Sequence, residues 1–86
     1  MPSQLVSVSA TGWTLLSSAA VGTVENPGSD KPEELIIRFA DSLPPAADSW
    51  GHRIAIGARE SWSRQVAMPV YGRRVISAGD VVVTEG

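Results

Sequence analysis

The stretch Glu34-Leu35-Ile36-Ile37-Arg38-Phe39-Ala40 decides the fold class. Leu35, Ile37 and Phe39 fall on one side of an extended chain, and Glu34, Ile36 and Arg38 on the other. This two-residue period is the signature of a strand with one face on a core. Leu35, Ile37 and Phe39 are apolar, β-branched or aromatic, which suits a pleated surface better than a helix.

The same reading extends outward in both directions. Before this segment lie candidate strands over Gln4–Ala10, with Val6, Val8 and Ala10 on one face, Trp13–Leu16, with Trp13 and Leu15 on a common face, and Ala19–Val24. Between them and Glu34 runs a loop from Glu25 to Lys31. Its Asn26-Pro27-Gly28 is strong turn chemistry, because proline presets φ and glycine supplies φ > 0. After Ala40 comes a second loop, Asp41–Asp48, whose Pro44-Pro45 cannot join a central strand.

Further strands are predicted at Arg53–Ile56, with Ile54 and Ile56 inward, at Ser61–Val66, with Trp62 and Val66 inward, and at Val70–Ile76. Gly57-Ala58-Arg59-Glu60 reads as a turn. Ser77-Ala78-Gly79-Asp80 reads as the turn of a C-terminal hairpin ending in Val81–Thr84, whose Val81-Val82-Val83 suits a strand buried on at least one face. With eight glycines and six prolines punctuating short apolar runs, the chain reads as one all-β domain over 1–86, a small antiparallel β-sandwich or barrel of six to eight short strands.

Composition narrows function by exclusion. The chain has 86 residues, a size at which disulfides, a metal or a partner often supply missing stability. It has no cysteine and a single histidine, His52, so neither a disulfide nor a Cys- or multi-His metal site is expected. Oligomerisation or docking onto a larger surface is the remaining helper. A net charge of −2 provides no footprint for nucleic acid. No apolar run reaches the roughly 20 residues of a membrane helix, and Met1–Ser9 lacks the pattern of a secretory signal.

Catalytic constellations are sparse. His52 reads as a surface histidine; its nearest acidic neighbour in sequence is Asp48, and no Gly-x-Ser-x-Gly elbow accompanies it. Asp30, Glu33 and Glu34 around Pro32 lack calcium-loop spacing and read as a solvated loop. Neither a Walker-type phosphate loop nor a dinucleotide Gly-rich turn occurs. We therefore expect no catalytic residue, no cofactor and no metal.

The surface candidates are aromatic and cationic. Of the three tryptophans, Trp13 and Trp62 sit at core positions of predicted strands, whereas Trp50 lies beside the diproline loop and reads as an interface or ligand-stacking residue. Six arginines stand against one lysine, a balance that interfaces favour and that a GC-rich genome also produces. Arg73 and Arg74, with Tyr71 and Arg64, read as a cationic strand edge, in which Tyr71 and Arg73 share a face and Arg74 points opposite. Pairing with Glu60, Asp80 or a partner's carboxylates is expected. The candidate interface is thus Trp50, Pro44, Pro45, Arg64, Tyr71, Arg73 and Arg74.

The C-terminal stretch Pro69-Val70-Tyr71-Gly72-Arg73-Arg74-Val75-Ile76-Ser77-Ala78-Gly79-Asp80-Val81-Val82-Val83-Thr84-Glu85-Gly86, together with Gly12-Trp13-Thr14-Leu15, resembles small virion proteins of tailed bacteriophages. The middle, Glu25–Asp48, departs from that pattern. The resemblance implies a β-sandwich made in the host cytoplasm and placed on the capsid surface. There it would be a decoration protein that binds the major capsid protein, forms a homo-oligomer such as a trimer, and buries about 800 Å² per partner. The alternative of the same origin is a tail-fibre or receptor-binding module that recognises a host glycan through Trp50. An enzyme or inhibitor domain is the third class, disfavoured by the lone histidine and the missing motifs.

Overall fold

The computed structural model describes residues 3–27, 34–48, 50–75 and 78–85. They form eight strands and no helix: β1 (Ser3–Val8), β2 (Thr14–Ser17), β3 (Val21–Glu25), β4 (Leu35–Phe39), β5 (His52–Ile54), β6 (Arg59–Ser63), β7 (Val70–Arg74) and β8 (Gly79–Glu85). Two four-stranded sheets, ordered β1-β8-β3-β6 and β2-β7-β4-β5, face each other. Every pairing is antiparallel. The protein is a small β-sandwich.

The core follows from the alternation already visible in β4. Leu35 and Ile37 are fully buried and meet Leu16, Ile54 and Val70 of their own sheet and Val8, Val24, Trp62, Val81 and Val83 of the other. In β8 the inward residues Val81 and Val83 are completely buried, while Val82 between them is half-buried. Gly72 leaves room on β7 for Leu16, whose Cδ1 would lie 2.8 Å from an added Cβ.

Three expectations are corrected. The last two strands do not form a hairpin. β7 pairs with β2 and β4, and β8 pairs with β1 and β3, so the chain crosses from one sheet to the other between Arg74 and Gly79. At that corner Arg74 N–H donates to Ser9 O (2.9 Å), joining the end of β7 to the residue after β1. Turn residues mark a reversal of direction; they do not distinguish two strands that pair from two that arch over a core.

Ile56 and Val66 point outward, with 50% and 76% of their surface exposed. β5 stops at Ile54, the reversal falls at Ile56-Gly57, where Gly57 has φ of 80°, and β6 runs from Arg59 only to Ser63. Neither residue lies in a strand, so alternation does not apply to it. In β2, Leu15 is half exposed while Leu16 faces the core, and the register shifts between Leu15 and Ser17.

The third correction concerns the outer face of the β2-β7-β4-β5 sheet. Ile36, expected with the polar side of β4, is buried there with Trp13 and Tyr71 in a second apolar cluster, against which Ala40 packs. The 41–48 loop supplies the cover. Trp13 Nε1–H donates to Asp48 O (3.0 Å), and Ala40 N–H donates to Pro69 O (3.2 Å).

Candidate interaction groove

At the end of β4 the alternation sends Arg38 and Phe39 to opposite faces of the sheet. The chain then loops through Pro44-Pro45 and returns at Gly51, where a Cβ would overlap the Ile37 carbonyl oxygen and come within 2.9 Å of Ile36 Cγ2. This close approach is open only to glycine, and it places the preceding residue, Trp50, over Arg38. The Arg38 guanidinium carbon lies 3.5 Å from the centre of the Trp50 ring.

The stack continues inward. Arg38 is 5.9 Å from the Trp13 ring, and Arg73 is 5.6 Å from the same ring. Arg73, Trp13, Arg38 and Trp50 therefore alternate cation and aromatic from the buried sheet face out to solvent. Each contact is of the cation–π kind, stronger where the pair is shielded from water. Arg73 anchors the ladder by donating to Ala46 O (2.8 Å), Asp48 O (2.7 Å) and Ala10 O (2.7 Å). Those three carbonyls belong to two loops, so one guanidinium ties both to the sheet. Arg38 also donates to the Asp48 carboxylate at 3.3 Å, a partly exposed ion pair of modest strength.

On the other face Phe39 forms the floor of an open groove of about 400 Å³ lined by Arg38, Trp50, Gly51, His52 and Arg64. The Phe39 ring meets His52 and Trp62 edge-on, each at 6.0 Å between centres, and Arg64 lies 4.3 Å above it. A second depression of about 280 Å³ shares Phe39, His52 and Arg64 and continues along β6 past Ser63 and Ser61 to Glu60. Both depressions lie in the seam between β5 and β6, the end strands of the two sheets. Among the described residues Arg64 has no ion-pair partner.

Of the residues singled out from the sequence, Trp50 and Arg64 line this groove. Pro45 is exposed on the neighbouring loop, whereas Pro44 is buried beneath it. Tyr71, Arg73 and Arg74 are buried, and β7 lies between β2 and β4, so they do not form a strand edge. The two arginines do take opposite faces. Arg73 binds the loops on the outside of the sheet, and Arg74 donates to the Asp80 backbone carbonyl at 2.8 Å. The three hydrogen bonds of Arg73 all end on backbone carbonyls.

Arg38, Phe39 and His52 line the groove without having been singled out for it. Their strand positions were visible, but the fold-back of the 41–51 segment was not. Of the acidic cluster, Glu34 pairs with Arg53 at 3.0 Å on the surface; Asp30 and Glu33 lie outside the described residues, as do Gly28 and Ser77 of the predicted turns. Among the described residues no group of three His, Asp or Glu side chains could hold a metal ion, and no helix is long and apolar enough to cross a membrane.

No family model matches this chain, and no curated protein or solved structure matches it. The class that fold and site define is a small antiparallel β-sandwich with a cationic, aromatic groove along its open seam.

Proposed function

We propose that this chain is a structural binding module of a tailed-phage particle, a decoration protein whose groove face docks on the major capsid protein. The observation that carries the binding reading is Trp50: it is 63% exposed, yet it is held in place by Arg38 at the mouth of the groove. A large ring already immobilised loses little side-chain entropy on binding, and tryptophan and arginine dominate interface hot spots. The link to a phage shell is supported by the likeness of the 12–15 and 69–86 segments to small virion proteins.

The test is to add the purified chain to undecorated capsids. Co-sedimentation, raised resistance to heat or chaotrope, and loss of both with Trp50→Ala are expected. No binding to the shell would count against the reading.

One observation favours a second reading, a receptor-binding module for a host glycan. An exposed indole beside hydrogen-bonding side chains is also how a sugar ring would be stacked and oriented. Glycan-array binding lost in Trp50→Ala, with no affinity for capsids, would select it.

A further inference from the structure

β6 is the end strand of its sheet and lies beside the Trp50 groove. Among the described residues β6 pairs with β3 alone. At the two ends of that ladder Arg64 N–H donates to Ala20 O (2.9 Å) and Asn26 N–H donates to Ala58 O (3.0 Å). Bonded pairs in an antiparallel ladder recur at every second residue. Glu60 and Trp62 therefore turn their backbone groups toward β3, and Arg59, Ser61 and Ser63 turn theirs to the open side. An extended polypeptide can pair with those groups; a sugar cannot form the same ladder.

The groove beside this edge sets the side-chain chemistry. Phe39 and Trp62 offer an aromatic floor, and Arg64 and Arg38 stand at one end. Asp48 is already bonded to Arg38, and Glu60 sits at the far end of the seam. The guanidinium of Arg64 lies over the Phe39 ring, and among the described residues it has no ion-pair partner. A planar fork of this kind matches a carboxylate. Glu60 repels an acid at its own end, so the orientation of an incoming chain is also specified.

We propose that β6 accepts an added strand from a protein partner, an extended β-forming segment whose acidic side chain enters the groove and pairs with Arg64. This deepens the binding reading above and rests on it. Main-chain pairing supplies affinity and the alternate side chains supply specificity, as in other strand-addition complexes. Arg59 puts one charge at the start of this edge, and the exposed Ser61 and Ser63 leave the rest of it uncharged, without lysine or proline.

The experiment uses the full chain, isotope-labelled, titrated with the capped heptapeptide Thr-Val-Thr-Glu-Val-Thr-Val and with its Glu-to-Gln counterpart. The expected result is a shift of the Ser61 and Ser63 amides with slowed hydrogen exchange, and affinity about tenfold lower for the Gln peptide and for Arg64→Gln. Ser61→Pro removes an outward N–H and leaves the backbone bonds to β3 in place, losing there the exposed Ser61–Thr23 hydroxyl contact; it is expected to keep the fold and abolish binding. An unshifted β6 edge at millimolar peptide, equal binding of both peptides, or binding of an oligogalacturonate in place of the peptide would overturn the inference. If Arg64→Gln and Ser61→Pro still bind capsids as the parent chain does, strand addition fails while the docking reading stands.

Discussion

Trp62 lies against the bare backbone of Gly22, directly across the β3–β6 ladder: a Cβ at Gly22 would fall 2.5 Å from Trp62 Cζ2. The indole is buried in the core beside Gly22, and its Nε1–H donates to Ala19 O (3.0 Å). Phe39 meets it from the other sheet. A residue without a side chain thus orients the aromatic wall of the groove.

Gly22→Ala is expected to displace this ring, because the Thr84 carbonyl lies only 3.0 Å from the added carbon on another side. Overpacking of this sort costs about 1–3 kcal/mol. Chemical denaturation of the variant against Ser63→Ala, an exposed control on the paired strand β6, measures it. Equal midpoints would refute the packing argument.

Arg73→Met is expected to cost about 3 kcal/mol, because it removes the charged donor from three carbonyls and leaves those of Ala10 and Ala46 without it, while Asp48 O keeps Trp13. The loss should be accompanied by a red shift of Trp13 emission as the two loops come away from the sheet. Trp13→Phe removes the bond to Asp48 O and weakens the contacts of Arg38 and Arg73 with the ring, an expected loss of about 1 kcal/mol for the hydrogen bond plus the smaller ring's packing.

Asp48→Asn should change stability by no more than about 1 kcal/mol, since the carboxylate of this ion pair is 39% exposed and water screens it. The backbone carbonyl of Asp48, which accepts from both Trp13 and Arg73, is retained in the variant. A larger loss in urea titration would show that the ion pair, and not the carbonyl, holds the loop.

Trp50→Ala is expected to leave the unfolding midpoint nearly unchanged, within about 0.5 kcal/mol, as for other exposed positions. Partner binding should be lost in the same variant. Arg38→Ala should shift Trp50 fluorescence, because the cation 3.5 Å from its ring is gone. A Trp50→Ala chain that unfolds at a much lower midpoint would make the residue structural instead.

The strands of this protein were largely legible because alternation is local. Leu35 and Ile37 announced β4, and the valines of β8 announced a buried strand. Residues that depend on distant cover were not. Ile36, Tyr71 and Arg73 look like an outward face by alternation, and become interior only because the 41–48 loop lies over them. Trp50 and Arg64 stood out by residue type; Arg38 and His52 join them through a fold-back that no spacing encodes.

By itself the sequence determined the β class, the approximate places of the strands though not their ends, and the lack of any cysteine cross-link, because side-chain alternation and turn chemistry act over a few residues. The tertiary structure alone decided which strands pair, that β7 and β8 part into opposite sheets, and that Trp50, Arg38, Phe39, His52 and Arg64 share one groove. Those outcomes depend on contacts between segments far apart in the chain, where burial of one surface by another settles what local preference leaves open.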